Sequence, residues 1–254
     1  MKDIDDSKAP LLDHLIELRR RLLWSVLALF AAFAVCFYFA KPIFTFLVHP
    51  LAEAGQGKII YTQVFEAFLV QVKVAFFAAL MLSFPIVANQ IWLFVAPGLY
   101  KSEKGALLPF LLATPLLFTL GAALAYYFAI PIALKFLLGF QGDLGGVQQE
   151  ALPAVGEYLR FVMQFIMAFG VAFLMPVLLM LMERAGLVTR KQMVGARRYV
   201  IVGVFIVAAI FTPPDVVSQL MLAIPLIALF EITLVLIWFT ERKRARVRAQ
   251  AEAE

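Results

Sequence analysis

With 254 residues, 63% of them hydrophobic, only 15% charged, and a mean hydropathy of +0.92, the chain carries more apolar surface than a water-soluble domain can bury. It reads as a polytopic membrane protein. The net charge of +5 fits membrane topology better than an acidic partner. The single Cys36 and the widely separated His14 and His49 exclude an internal disulfide and argue against metal or nucleophile chemistry.

Met1–Pro10 holds Asp3, Asp5 and Asp6 ahead of any apolar run, so no cleavable signal peptide is expected. PLLDHLIELRRRL follows, with Leu11, Leu15, Leu18 and Leu22 on one helical stripe. That stripe predicts a segment lying along the inner membrane face before the helix turns into lipid, with Arg19–Arg21 at the headgroups. The first span is expected at Leu22–Phe39. After it, KPIFTFLVHPL with Pro42 and Pro50 predicts a short interfacial or capping helix within the Lys41–Thr62 loop. The second span is Phe68–Phe94. Counted from Val64 it would be about 46 Å of helix against a hydrocarbon core of about 30 Å, so it tilts or projects outward, near Glu66 and Lys73.

The loop FVAPGLYKSEK, Phe94–Lys104, places the carboxylate of Glu103 between Lys101 and Lys104 at the water–lipid boundary. The third and fourth spans are expected at Leu107–Pro131 and Tyr158–Met182. The fifth, Tyr199–Phe211, offers only about 20 Å of helix before Thr212-Pro213-Pro214-Asp215 stops it, because neither proline supplies an N–H. With the sixth span, Leu220–Phe239, it forms a short helical hairpin that mismatches an ordinary bilayer and asks for local thinning or partner helices. Residues 240–254 form a basic tail on what is otherwise a single membrane domain over residues 1–254.

Six spans put both termini on one side. With that side inside, the inner segments hold most of the 22 basic residues, including Arg19–Arg21, Lys101, Lys104, Arg190, Lys191, Arg197, Arg198, Arg242 and Lys243. The expected fold is therefore an all-α membrane protein of six transmembrane helices with both termini cytoplasmic.

Charged groups inside spans are functional candidates by default. Glu231 stands within IPLIALFEITLVLIWF, either hydrogen-bonded inside the bundle or docking a partner helix. Asp215 can cap the last helix, and Asn89 and Gln90 can bond neighbouring helices. Glu17 has Arg20 and Arg21 at i+3 and i+4, which allows a plain surface ion pair. Glu17 and Glu103 together would suit an arginine-bearing peptide, since a guanidinium makes forked bonds to carboxylates that lysine cannot copy.

HLIELRRRL at His14–Leu22, QIWLFVAPGLYKSEK at Gln90–Lys104, MAFGVAFLMPV at Met167–Val177, RRYVIVGVFIVAAIFTPPDVVSQ at Arg197–Gln219 and IPLIALFEI at Ile224–Ile232 resemble the TatC family, the multi-spanning core of the twin-arginine protein translocase. The resemblance covers essentially the whole chain in order. It implies a non-enzymatic receptor of the bacterial inner membrane that binds twin-arginine signal peptides of folded precursors at the cytoplasmic face. It further implies recruitment of TatB-type and TatA-type single-span partners, homo-oligomers within the complex, dependence on the proton-motive force, no cofactor and no nucleic acid. By the resemblance, Glu17, Arg19, Phe94, Leu99 and Glu103 form the signal-peptide surface. Thr212, Gln219 and Glu231 fall where partner helices dock, and Pro50, Pro213, Pro214 and Asp215 are structural positions of the outer loops and hairpin. One departure stands out: where the family commonly has glutamate or glutamine, AFGVAFLMPV has Leu174, and Gln164 is a candidate substitute.

A small-solute secondary transporter or channel is the alternative reading. It would show repeats and several midplane charges, whereas one such carboxylate, Glu231, is seen. A membrane enzyme would need a cluster such as HExxH or a nucleophile with a nearby base. No such cluster is present in the sequence.

Overall fold

The computed structural model describes residues 8–99 and 108–251. They are almost wholly helical: α1 (Lys8–Tyr38), α2 (Ala40–Glu53), α3 (Glu66–Leu99), α4 (Leu108–Leu124), α5 (Ile130–Leu138), α6 (Val155–Ala172), α7 (Met175–Arg184), α8 (Arg190–Gly195), α9 (Arg197–Phe211) and α10 (Val216–Ala251). A small antiparallel pair, β1 (Gly142–Leu144) and β2 (Val147–Gln149), is the one sheet among the described residues. Five stretches are long and apolar enough to cross a membrane: Leu15–Tyr38, Glu66–Phe94, Phe110–Leu138, Val155–Arg184 and Val216–Lys243. The expected sixth, α9, is a helix of 15 residues, about 22 Å long, and is shorter than a span by itself.

The described residues divide into two compact units, one running to Leu47 and resuming at Tyr61–Pro115, the other Val48–Ile60 with Leu116 onward. In the first unit, α1 packs along α3. Small residues gather at their contact, Ala32 and Cys36 of α1 with Ala75 and Ala79 of α3, joined by Ala40 at the start of α2, and such residues let backbones approach closely where water supplies no hydrophobic drive. The amphipathic lead-in does not break away from the first span: α1 is one continuous helix from Lys8 to Tyr38, because no Gly or Pro interrupts it between Leu11 and Phe39. The start of α3 is fixed by Glu66, whose Oε2 accepts from the N–H groups of Thr62 at 2.6 Å and Gln63 at 3.2 Å. Towards its other end, Trp92 donates from Nε1 to Thr114 Oγ1 at 2.7 Å, and that hydroxyl donates to Phe110 O at 2.8 Å. These bonds tie α3 to α4.

The second unit shows what the apolar runs concealed. The third span continues past Pro131 to Leu138, passing through a π-helical turn at Ala125–Ala129 where Ile130 N bonds Ala125 O. Pro131 explains the turn: it has no N–H and its ring crowds the carbonyl four residues back, so the helix widens just before it. The fourth span breaks between Ala172 and Met175, with Pro176 in the first turn of α7. Leu174 sits in that break as the N-cap of α7. The helices cross closely here. A Cβ on Gly121 would lie 2.6 Å from Phe169 O, and one on Gly170 2.7 Å from the Phe118 ring, so only glycine fits either crossing point. KPIFTFLVHPL forms the expected short helix, α2, with Pro50 buried inside it. The β1–β2 turn uses Gly145 and Gly146 at φ 66° and 98°, a left-handed pair suited to a two-residue hairpin.

Candidate functional site

On α1, Glu17, Arg20, Arg21 and Trp24 recur at i, i+3, i+4 and i+7 and therefore share one face. With Gln90 of α3 they line an open groove of about 340 Å³ within the first unit. Arg21 donates to Glu17 Oε1 from Nε at 3.0 Å and also from Nη2. The surface pair anticipated for Glu17 is thus made with Arg21, while Oε2 has no partner among the described residues. Trp24 is 57% exposed, so its indole face is open to the groove. Arg19 points away from these groups, exposed on α1 and outside the groove lining. Phe94 is part-buried near the end of α3, and Leu99 is the last residue of that helix. Glu103, with Lys101 and Lys104, lies outside the described residues.

The other candidates gather on the α9–α10 hairpin of the second unit. Thr212 is buried, and its hydroxyl donates to Ala208 O at 2.9 Å. Pro213 and Pro214 make the turn; Asp215 follows and caps α10, its Oδ1 accepting from Ser218 N at 2.7 Å. Gln219 reaches back across the hairpin, Nε2 donating to Phe205 O at 3.2 Å. Gln164 of α6 closes on the same helix, donating to Ile210 O at 3.3 Å. Gln164 therefore serves as a brace for the end of α9.

Glu231 makes a bond between the helices, one of the two readings its sequence setting left open. Arg197, the first residue of α9, donates from Nη2 to Glu231 Oε2 at 2.7 Å, so the charge is met by a partner 34 positions away in sequence. Both side chains remain about half exposed, open to a further contact on that flank. No local spacing could have announced this pair. The α1 face, in contrast, was open to discovery: the i, i+3, i+4, i+7 pattern carries Arg20 and Trp24 as well as Glu17. Among the described residues, no group of His, Cys, Asp and Glu is arranged to hold a metal ion.

The profile of the family described as "TatC: Sec-independent protein translocase protein (TatC)" matches residues 13–225. The chain belongs to the TatC family. The Sec-independent protein translocase protein TatC of Magnetococcus marinus is 49% identical over 251 residues, covering 98% of this chain and 91% of that protein. TatC of Escherichia coli K12 is 41% identical over 231 residues, covering 90% and 88%. A crystal structure of the twin arginine translocase receptor TatC matches with a TM-score of 0.77 at 38% identity, covering 88% of this chain and 97% of that one. A second crystal structure of the receptor, in DDM, gives 0.79 at the same identity. This TatC-family chain is thus a membrane protein of the twin-arginine translocase system, in a family of translocase receptors and not of known enzymes.

Proposed function

We propose that the chain binds the twin-arginine signal peptides of folded precursor proteins and recruits TatB-type and TatA-type single-span proteins to move them. The observation that carries the reading is the Glu17 groove: a carboxylate with one oxygen held by Arg21 and the other without a described partner, beside an open indole and the Gln90 amide. A peptide guanidinium takes Oε2 by a forked, charge-assisted bond and stacks on Trp24. Glu103, four positions beyond Leu99 in sequence, supplies the second carboxylate. In this reading the groove faces the cytoplasm, α9 completes a sixth crossing, both termini are inside, and the bilayer is the bacterial inner membrane. Thr212, Gln219 and Glu231 present the hairpin flank to partner helices; the half-exposed Arg197–Glu231 pair supports that role.

The test is binding of a paired-arginine signal peptide, against a paired-lysine control, to the purified chain in lipid nanodiscs. Wild type should prefer the arginine peptide, and Glu103→Gln should abolish the preference. Equal binding of both peptides to wild type would overturn the proposal.

A further inference from the structure

The groove on α1 carries a charge imbalance that the proposed binding step enlarges. Glu17 is the one carboxylate among its described lining residues, whereas Arg20 and Arg21 both line it; Trp24 and Gln90 are neutral. Arg21 is committed to Glu17 Oε1. Arg20 is exposed, and its guanidinium has no hydrogen bond, ion pair or ring contact among the described residues. An arginine entering at Glu17 Oε2 therefore sets three guanidinium groups around a single carboxylate. Charges gathered within one groove lie inside the screening length of about 8 Å at physiological salt, so they still repel. An oxygen acceptor brought in by the same ligand relieves that repulsion, and Arg20 is the donor left free to hold it.

Resting on the reading that this groove receives the signal peptide, we infer that Arg20 is a second subsite, which takes a carboxylate from a residue flanking the paired arginines. Arg20 stands one turn beyond Glu17 on the same face of α1, so their Cβ atoms are about 5–6 Å apart. In an extended peptide, side chains alternate between two sides, and the next one on the same side is two residues away, about 6.8 Å. When one arginine of a pair engages Glu17, that position is the residue directly flanking the other arginine. A carboxylate there receives the planar fork of Arg20 and offsets the excess charge. A hydroxyl accepts a single neutral bond and does less, and a lysine meets like charge. Arg20 lies to one side of Glu17 along the helix, so only one flank of the arginine pair reaches it.

The experiment is fluorescence anisotropy of labelled paired-arginine peptides binding to the full chain in phosphatidylcholine nanodiscs, whose headgroups carry no net charge to compete for Arg20. The peptides carry alanine on both flanks of the pair, or aspartate on one flank or the other. Wild type should bind one of the aspartate peptides about threefold to fivefold tighter than the alanine peptide, and the advantage should shrink as salt is raised. Arg20→Gln should erase the difference between those two peptides. Arg20→Lys keeps the charge but not the fork and should retain part of it, which preserves the test if the glutamine variant does not fold. Equal binding of aspartate and alanine peptides by wild type, an equal gain on both flanks, or an undiminished advantage in folded Arg20→Gln overturns the subsite. A wild type that does not distinguish paired arginines from paired lysines, both flanked by alanine, overturns instead the reading on which the subsite rests.

Discussion

Two ion pairs in this molecule use the same chemistry and teach opposite lessons. Arg21–Glu17 closes within a single turn of α1; the helix that holds it needs no tertiary structure to bring the groups together, and such pairs contribute about 0.3–0.5 kcal/mol. Arg197–Glu231 joins the first residue of α9 to the middle of α10, so it forms only when the hairpin has folded. The first pair is therefore easily exchanged, which suits the proposed role of Glu17 in accepting a second guanidinium. The second is an architectural clamp, set beside the buried cluster of Met193, Phe230, Leu234 and Ile237. The proposed binding site and the brace differ in connectivity more than in residue type.

The sharpest break of the braced unit lies at the glycine crossing of α4 and α6. Gly121→Ala drives a Cβ to 2.6 Å from the Phe169 carbonyl oxygen, a backbone atom that cannot rotate away, and should cost about 3 kcal/mol, read as a lowered midpoint of denaturant unfolding. Next in size, a double-mutant cycle on Arg197→Gln and Glu231→Gln should return a coupling of about 1 kcal/mol, discounted for the half-exposure of both groups. Gln219→Leu removes the bond to Phe205 O and should cost about 0.6 kcal/mol, seen as faster hydrogen exchange near the end of α9. The smallest effect on stability belongs to the groove: the cycle on Glu17→Gln and Arg21→Gln should give a coupling below about 0.5 kcal/mol. If that coupling equalled the one between Arg197 and Glu231, the contrast between exchangeable pair and clamp would be lost.

What the sequence made legible follows the same division. Helices, the TPPD turn and the α1 face follow from local spacing, and local spacing survives folding. The pairing of Glu231 with Arg197 is a contact between elements, and an uncharged run around a carboxylate says nothing about what crosses to meet it. The break in the fourth span was signalled by Pro176 within FLMPV, yet the unbroken hydropathy of MAFGVAFLMPV hid it. Pro131 similarly marks the π-helical turn, although the apolar run continues through it. The chain departs from its family at Leu174, and the structure places that leucine in the break before α7; Gln164, the proposed substitute, bonds Ile210 O. The β1–β2 hairpin had weaker signals, a Gly-Gly pair in a polar loop.

The most direct test of the central claim, that the exchangeable pair marks the recognition site, is photo-crosslinking. A signal peptide carrying a photoreactive group beside its paired arginines would be bound to the full chain in nanodiscs, and the captured residues mapped by mass spectrometry. Capture is expected on the α1 face and its groove, around Glu17, Trp24 and Gln90, and is lost when the arginines are replaced by lysines. Capture confined to the α9–α10 hairpin, with the groove unlabelled, would contradict it.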